Sequence, residues 1–339
     1  MMSKLHDSIT DVPGIFVGHA QDLEALTGCT VILCPKGAVA GVDQRGGAPG
    51  TRETDALRPM HLVQKAHAVM LAGGSAFGLD AASGAMRWLE EQKIGFPTGT
   101  VKVPIVASAI LFDLAIGSSK VRPDAEMGYR ACQLAAAKTP AEGNVGAGTG
   151  CTVGKIFGLS GAMKSGIGTA SMDCGGGVIV GAIVAVNAFG DVVDPADGKI
   201  LAGTRPLGKG PLRLGGKQPF ADTLAVMRSL AGRLVLRMAA GGNTVVGVVA
   251  TSARLTKEQA GKMAQMAQDG LARAIRPAHT MLDGDTIFSL STGSRSADVS
   301  LVGACAAEVF ARAVVKAALA ASAAGGLPAA ADLHREKAI

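Results

Sequence analysis

The chain is patterned by short, β-branched apolar runs set between glycines, at residues 29–34, 178–186, 244–251 and 286–291. Each has the length of a buried strand and none alternates cleanly with polar residues, which predicts a sheet covered on both faces. Helical spacing alternates with these runs. Thr256 and Gln259 form a capping-box pair, and Ala260, Met263, Ala264, Ala267, Leu271, Ala274 and Ile275 follow at helical spacing until Pro277 ends the helix. A second helix is predicted from about Ala304 to Ala321, where Gly325, Gly326 and Pro328 break it and leave a loose tail beyond Ala329.

Glycine is concentrated at residues 41–50, 73–84, 143–154, 161–177 and 241–242, implying tight turns and close backbone approach rather than linkers. Residues 204–220 combine Pro, Gly and basic residues without periodicity and are expected to form a mobile surface loop. No repeat or clean boundary divides the 339 residues, so one α/β domain over 1–339 is the expectation.

Hydrophobic residues make up 48% and charged residues 18% of the chain, which can fill a large core but leaves little charge to cover its surface; a homo-oligomer follows. The net charge of +6 comes from dispersed residues, and aromatics are 3%, which argues against nucleic acid as a partner. The longest apolar run, residues 177–189, is too short to span a membrane and contains Asn187. Residues 1–12 carry Lys4, Asp7 and Asp11 and no apolar stretch, so no secretory signal and a cytoplasmic location are expected. Six cysteines, Cys29, Cys34, Cys132, Cys151, Cys174 and Cys305, form no CxxC pair and read as buried free thiols.

Asn243-Thr244 lies between Gly241-Gly242 and the apolar strand that follows, so Thr244 opens a buried strand. A cut before Thr244 would give its hydroxyl a free α-amine on the same residue, a base with a pKa of roughly 7.7–8.0. Alone, the tetrapeptide is equally an ordinary turn into a strand. Asp283 and Asp285, two apart before another strand, would face the same side and could charge-stabilise such a nucleophile, or form a solvated turn or a metal loop. A metal needs more ligands than His279 adds, and His279 itself reads as structural, so neither metal nor cofactor is expected.

Lys155 follows the densest glycine stretch, but Thr149 and Ile156 break the phosphate-loop pattern, leaving a surface lysine or one that steadies charge inside a pocket. Asn187 interrupts an apolar strand, so its amide serves either as an oxyanion donor or in a structural hydrogen bond. Gly73-Gly74-Ser75 matches neither a nucleotide loop nor a nucleophile elbow and reads as strand-to-helix packing, with Gly74 and Ser75 as candidate pocket residues.

In order along the chain, VDQRGGAPGTRETDAL, LAGGSAFGLDAASG, GAGTGCTVGK, GGNTVVGVVAT and AIRPAHTMLDGDTIFSLSTG resemble the L-aminopeptidase/D-esterase family, which includes DmpA-type aminopeptidases, β-peptidyl aminopeptidases and nylon-oligomer hydrolases. The resemblance runs from about Thr10 to Ala321. It implies a four-layer αββα sandwich of the N-terminal-nucleophile type, with self-cleavage into residues 1–243 and 244–339 and assembly of the processed heterodimers into a tetramer. It implies Asn243-Thr244 as the processing site and Thr244 as the nucleophile. Asp283 and Asp285 fall on the acidic pair of the nylon-oligomer type, Lys155 on the lysine after the glycine stretch, and Asn187 on the asparagine of the central strand. The expected substrates are small peptides, amino-acid amides or ω-amino-acid oligomers. Phe112 departs from the family, standing where relatives carry a tyrosine, and it cannot donate a hydrogen bond. Two other readings stand beside this one: an acyltransferase of the ornithine-acetyltransferase type, and an unprocessed, inactive homologue.

Overall fold

A computed structural model describes residues 5–208, 215–216, 218–230, 232–233 and 242–335. All four apolar runs form strands, and each strand extends past its run. The main sheet contains β1 (Phe16–Asp22), β2 (Thr27–Gln44), β3 (Thr51–Arg52), β4 (Lys65–Ala72), β5 (Val106–Ile110), β6 (Ile167–Asp173), β7 (Ile179–Asn187), β8 (Thr244–Ala253) and β9 (Thr286–Arg295). Their order is β6-β7-β8-β9-β2-β4-β5-β3, with β1 on β2.

β2 explains how one path of strands makes two layers. Its first part pairs with β1 and β4 and its last part with β9, and its register against β4 shifts between Leu33 and Ala38. The two halves of the sheet stack face to face. Val246, Val248, Phe288 and Leu290 from one half share a buried core with Ile32, Val69, Leu71 and Ala107 from the other. Each Val, Leu, Ile or Phe side chain so withdrawn from water contributes roughly 1.5–3 kcal/mol.

Helices cover both outer faces. On one, α1 (Ala81–Glu91) and α2 (Ala125–Gln133) bury Leu89 and Met127 against Val31, Leu33 and Met70. On the other, α3 (Lys257–Ala274) and α4 (Val299–Leu319) bury Met263, Leu271 and Phe310 against Val184, Val245 and Val249. In β8, Val245 and Val249 therefore face helices while Val246 and Val248 face the other half-sheet, which is why the run lacks polar alternation. The result is the expected four-layer αββα sandwich.

The capping box at Thr256 and Gln259 forms as predicted. α4 starts earlier than expected, because Asp298 accepts from the amides of Ser300 and Leu301 and moves the helix start upstream. From Ala330 to Arg335 the tail is not loose. α5 (Ala330–Arg335) follows, with Ala330 buried and Asp332 accepting from the amide of Ala329 at 2.8 Å. The free-thiol reading holds for four cysteines but fails for two, since Cys174, past the end of β6, pairs with Cys305 on α4 as a disulfide across 131 residues. The expected loop at 204–220 lies partly outside the described residues, but its start is anchored: Asp191 accepts from the amide of Thr204 at 2.7 Å and from that of Thr223 at 2.6 Å. Among the described residues no helix is long and apolar enough to cross a membrane, and no group of three or more His, Cys, Asp or Glu is placed to hold a metal ion.

Candidate active site

Strand topology gathers the residues singled out in the sequence at one end of the sheet. β7 and β8 are antiparallel and place Asn187, the last residue of one, opposite Thr244, the first of the other. β8 and β9 are parallel, joined through α3, so the segment before β9 lies beside the segment before β8. Asn243 and Asp283 form a parallel bridge there. Thr244, Asn243, Asp283 and Asp285 are 3%, 6%, 2% and 1% exposed, so all four are buried.

The Thr244 hydroxyl donates to the Asn243 carbonyl in a very short contact, and the same carbonyl accepts from the amide of Gly284 at 2.9 Å. That amide lies between the two acids. A side chain at 284 would meet Ala48 O at 2.5 Å and Thr244 Oγ1 at 3.0 Å, so only glycine brings the N–H this close.

The two carboxylates have different duties. Asp285 accepts from the amide of Val245 at 2.8 Å through one oxygen, and from the amide and ring Nδ1 of His279 at 3.0 and 2.8 Å through the other. His279 is thus a clamp on Asp285. Asp283 accepts from the amide of Phe189 at 3.0 Å and from Thr280. Burial, reinforced by the charge of Asp285, pushes the Asp283 carboxyl up from its ordinary range. The glycine-rich turn after β2 straps this segment down: Arg45 N–H reaches Asp285 O at 3.0 Å, and Ala48 N–H reaches Asp283 O at 2.8 Å.

Lys155 is not a surface lysine. Its ammonium donates to the Asn187 carbonyl at 2.9 Å, to Asn187 Oδ1 at 2.8 Å and to the Gly242 carbonyl at 3.4 Å. Burial pushes its pKa down to about 7, against the opposing pull of Asp283. Asn187 Oδ1 also accepts from the amide of Thr152 at 3.0 Å, and its Nδ2 donates to the Phe112 carbonyl at 2.8 Å. The partners of the Asn243 carbonyl are therefore Gly284 and Thr244, with Asn187 one step removed.

Phe112 comes from the other half-sheet, just past β5. A side chain at Gly242 would lie 3.1 Å from its ring, so the ring faces the backbone ahead of the Asn243-Thr244 bond. Asp113, the next residue after Phe112, is buried and accepts from Thr27 Oγ1 and from the amide of Gly74, each at 2.7 Å. Burial raises its pKa. Gly74 has φ +80°, so the loop reaches Asp113 through a backbone conformation glycine adopts readily. Gly74 and Ser75 thus stand one shell behind Phe112; the Ser75 amide donates to Leu111 O at 3.0 Å. Gly241 lies outside the described residues.

The backbone groups of Gly284 and Phe112, and of Leu282, whose carbonyl accepts from the Asn243 amide at 3.3 Å, are the parts that sequence reasoning missed. No residue type announces an aimed N–H or C=O.

Comparison with known proteins shows the family to which the chain belongs. The model of peptidase family S58 matches residues 7–330. An uncharacterized aminopeptidase of Mycobacterium leprae is 44% identical over 358 aligned positions, covering 97% of this chain and 94% of its own. A 6-aminohexanoate-oligomer endohydrolase of a Kocuria species is 31% identical, covering 91% and 85%. Among solved structures, the L-aminopeptidase D-Ala-esterase/amidase of Ochrobactrum anthropi, described as a variant of the Ntn hydrolase fold, superposes with a TM-score of 0.71 at 21% identity, covering 98% and 93%. The family match and the near full-length identity identify the chain as a member of peptidase family S58, an enzyme that hydrolyses amide or peptide bonds.

Proposed function

We propose that the chain is a precursor that cuts itself between Asn243 and Thr244, and that the freed Thr244 is the nucleophile of an N-terminal-threonine amidohydrolase. The observation that carries this reading is the Thr244 hydroxyl lying against the Asn243 carbonyl while the Gly284 amide polarises that carbonyl at 2.9 Å. In self-cleavage, Thr244 Oγ bonds to the carbonyl carbon and the C–N bond breaks. The Thr244 nitrogen takes the hydroxyl proton, and water splits the ester to leave Asn243 as a carboxylate.

In turnover, Thr244 Oγ attacks a substrate carbonyl and its proton passes through the Thr244 amine to the leaving amine. Water then releases the acyl group as an acid. Asn187 keeps one amide hydrogen after bonding Phe112 and donates it to the developing oxyanion. Lys155 tunes the field beside it, Asp285 fixes the strand through Val245, and Asp283 holds the loop that carries Gly284. The names of the relatives support short peptides, amino-acid amides or ω-amino-acid oligomers as substrates, and water as acyl acceptor. A homo-oligomer, a tetramer of cut chains, suits the exposure of Met60, Leu62 and Met281.

The test is the intact mass of the purified protein, reduced to open the Cys174–Cys305 bond that would join the pieces, beside a Thr244→Ala variant, followed by amide hydrolysis by both unreduced proteins. Two pieces, 1–243 and 244–339, in the parent alone support the reading. A whole chain in both overturns it.

A further inference from the structure

Asn243 is held as a strand residue is held, although it precedes β8. Its N–H donates to Leu282 O at 3.3 Å and its C=O accepts from Gly284 N–H at 2.9 Å, the two bonds of its parallel bridge with Asp283. Its side-chain amide turns to the same Leu282 oxygen at 3.2 Å. The partner segment is braced from behind by Arg45 and Ala48 and by both carboxylates, so it does not depend on Asn243 for its shape.

We propose that, in the cut enzyme, Leu282 C=O and Gly284 N–H form the acyl subsite, and that a substrate's acyl residue takes over the bridge Asn243 makes in the uncut chain. This rests on the reading that Thr244 is freed by cleavage. The ester formed during self-cleavage carries Asn243 on Thr244 Oγ, and the acyl-enzyme of turnover carries the substrate's acyl group on the same atom. The two acyl groups therefore share a place. Gly284 N–H, at 2.9 Å from the carbonyl oxygen, lies at the distance at which backbone donors stabilise a developing oxyanion. Leu282 C=O takes an N–H attached to the carbon next to the scissile carbonyl. One backbone donor and one acceptor, read by a single extended residue, are the elements of strand addition.

This geometry selects a substrate class. An α-aminoacyl amide or short peptide carries its amine, or its amide N–H, where Asn243 carries its own. An ω-aminoacyl group places its nitrogen a chain of methylenes away and cannot satisfy Leu282 and Gly284 together. Backbone beyond the acyl residue runs along the Phe112 ring, as Gly242 does.

The experiment compares kcat/KM of the cut enzyme for alanyl, propionyl and 6-aminohexanoyl p-nitroanilides. The propionyl compound differs from alanyl by the missing amine. Alanyl is expected to exceed propionyl by about tenfold or more, the effect of one lost hydrogen bond, and to exceed 6-aminohexanoyl as well. Propionyl equal to alanyl, or 6-aminohexanoyl faster than both, overturns the subsite while leaving amide hydrolysis at Thr244 standing. A chain that stays whole, or one that takes no acyl group onto Thr244 from any of the three, overturns the nucleophile assignment and the subsite together.

Discussion

Lys155 Nζ sits 2.8 Å from Asn187 Oδ1 and 2.9 Å from the Asn187 carbonyl, so a cation is held against the last residue of β7 with one proton left for the Gly242 carbonyl at 3.4 Å. A lysine with three acceptors and little water is tuned by its surroundings, and its titration is tied to folding.

Burial lowers Lys155 to about 7 in the folded chain, while the unfolded side chain titrates near 10.5. Between these values the unfolded state binds the extra proton, so stability rises as pH climbs from about 7 toward 10.5, and below about 7 the cost of burying the charge is fully present. Denaturant unfolding of the Thr244→Ala chain, chosen because it is expected to stay whole, should gain on the order of 1–3 kcal/mol between pH 7 and 9. A further Lys155→Met substitution should flatten that slope. An equal slope in both proteins refutes the assignment.

Thr244→Ser keeps a hydroxyl and should still be cut, whereas Thr244→Ala should not. N-terminal sequencing of the smaller piece is expected to begin at residue 244, and a start elsewhere would move the nucleophile.

Gly284→Ala places a methyl group 2.5 Å from Ala48 O and 3.0 Å from Thr244 Oγ1, forcing the loop back from the Asn243 carbonyl. Self-cleavage should slow at least about a hundredfold, the scale of one lost oxyanion donor. Folding is checked by circular dichroism and mass by time course. Cleavage at the parent rate would show that the Gly284 amide is not needed.

Phe112→Tyr adds a donor at a ring that faces Gly242. Hydrolysis of an alanyl amide is expected to rise by about three- to tenfold, the range of one added hydrogen bond. The melting temperature should barely move, because Phe112 is only partly buried. A fall in kcat/KM would instead mark the apolar ring as the selected feature.

The parts of the site legible in the sequence were those whose residue types carry chemistry. Thr244 ahead of an apolar strand, Asp283 and Asp285 around a glycine, and Asn187 inside an apolar run all lie at the same end of the sheet. The sandwich was legible through the continuous apolar runs and the capping box. The full length of β2 was not, because Pro35 and Gly37 look like a break and instead mark the shift in register that lets one strand serve both layers. The Cys174–Cys305 pair was hidden because its partners are 131 residues apart and meet only once α4 packs on the sheet. Lys155 was ambiguous, since nothing local tells a lysine at the surface from one whose nitrogen is enclosed by Asn187 and Gly242.

β8 lies inside the sheet, hydrogen-bonded to β7 on one edge and β9 on the other. A break before its first residue would leave a new chain end between two strands that belong to different pieces. The pieces would stay interlocked while folded, yet once separated they would be two molecules that must find each other. Folding would then be a single-use event: a cut enzyme taken apart by denaturant and a reductant that opens the Cys174–Cys305 bond between the pieces should regain its structure slowly and in a concentration-dependent way, while the uncut Thr244→Ala chain, reduced in the same way, returns on its own. The molecule would keep its shape by never letting go of it.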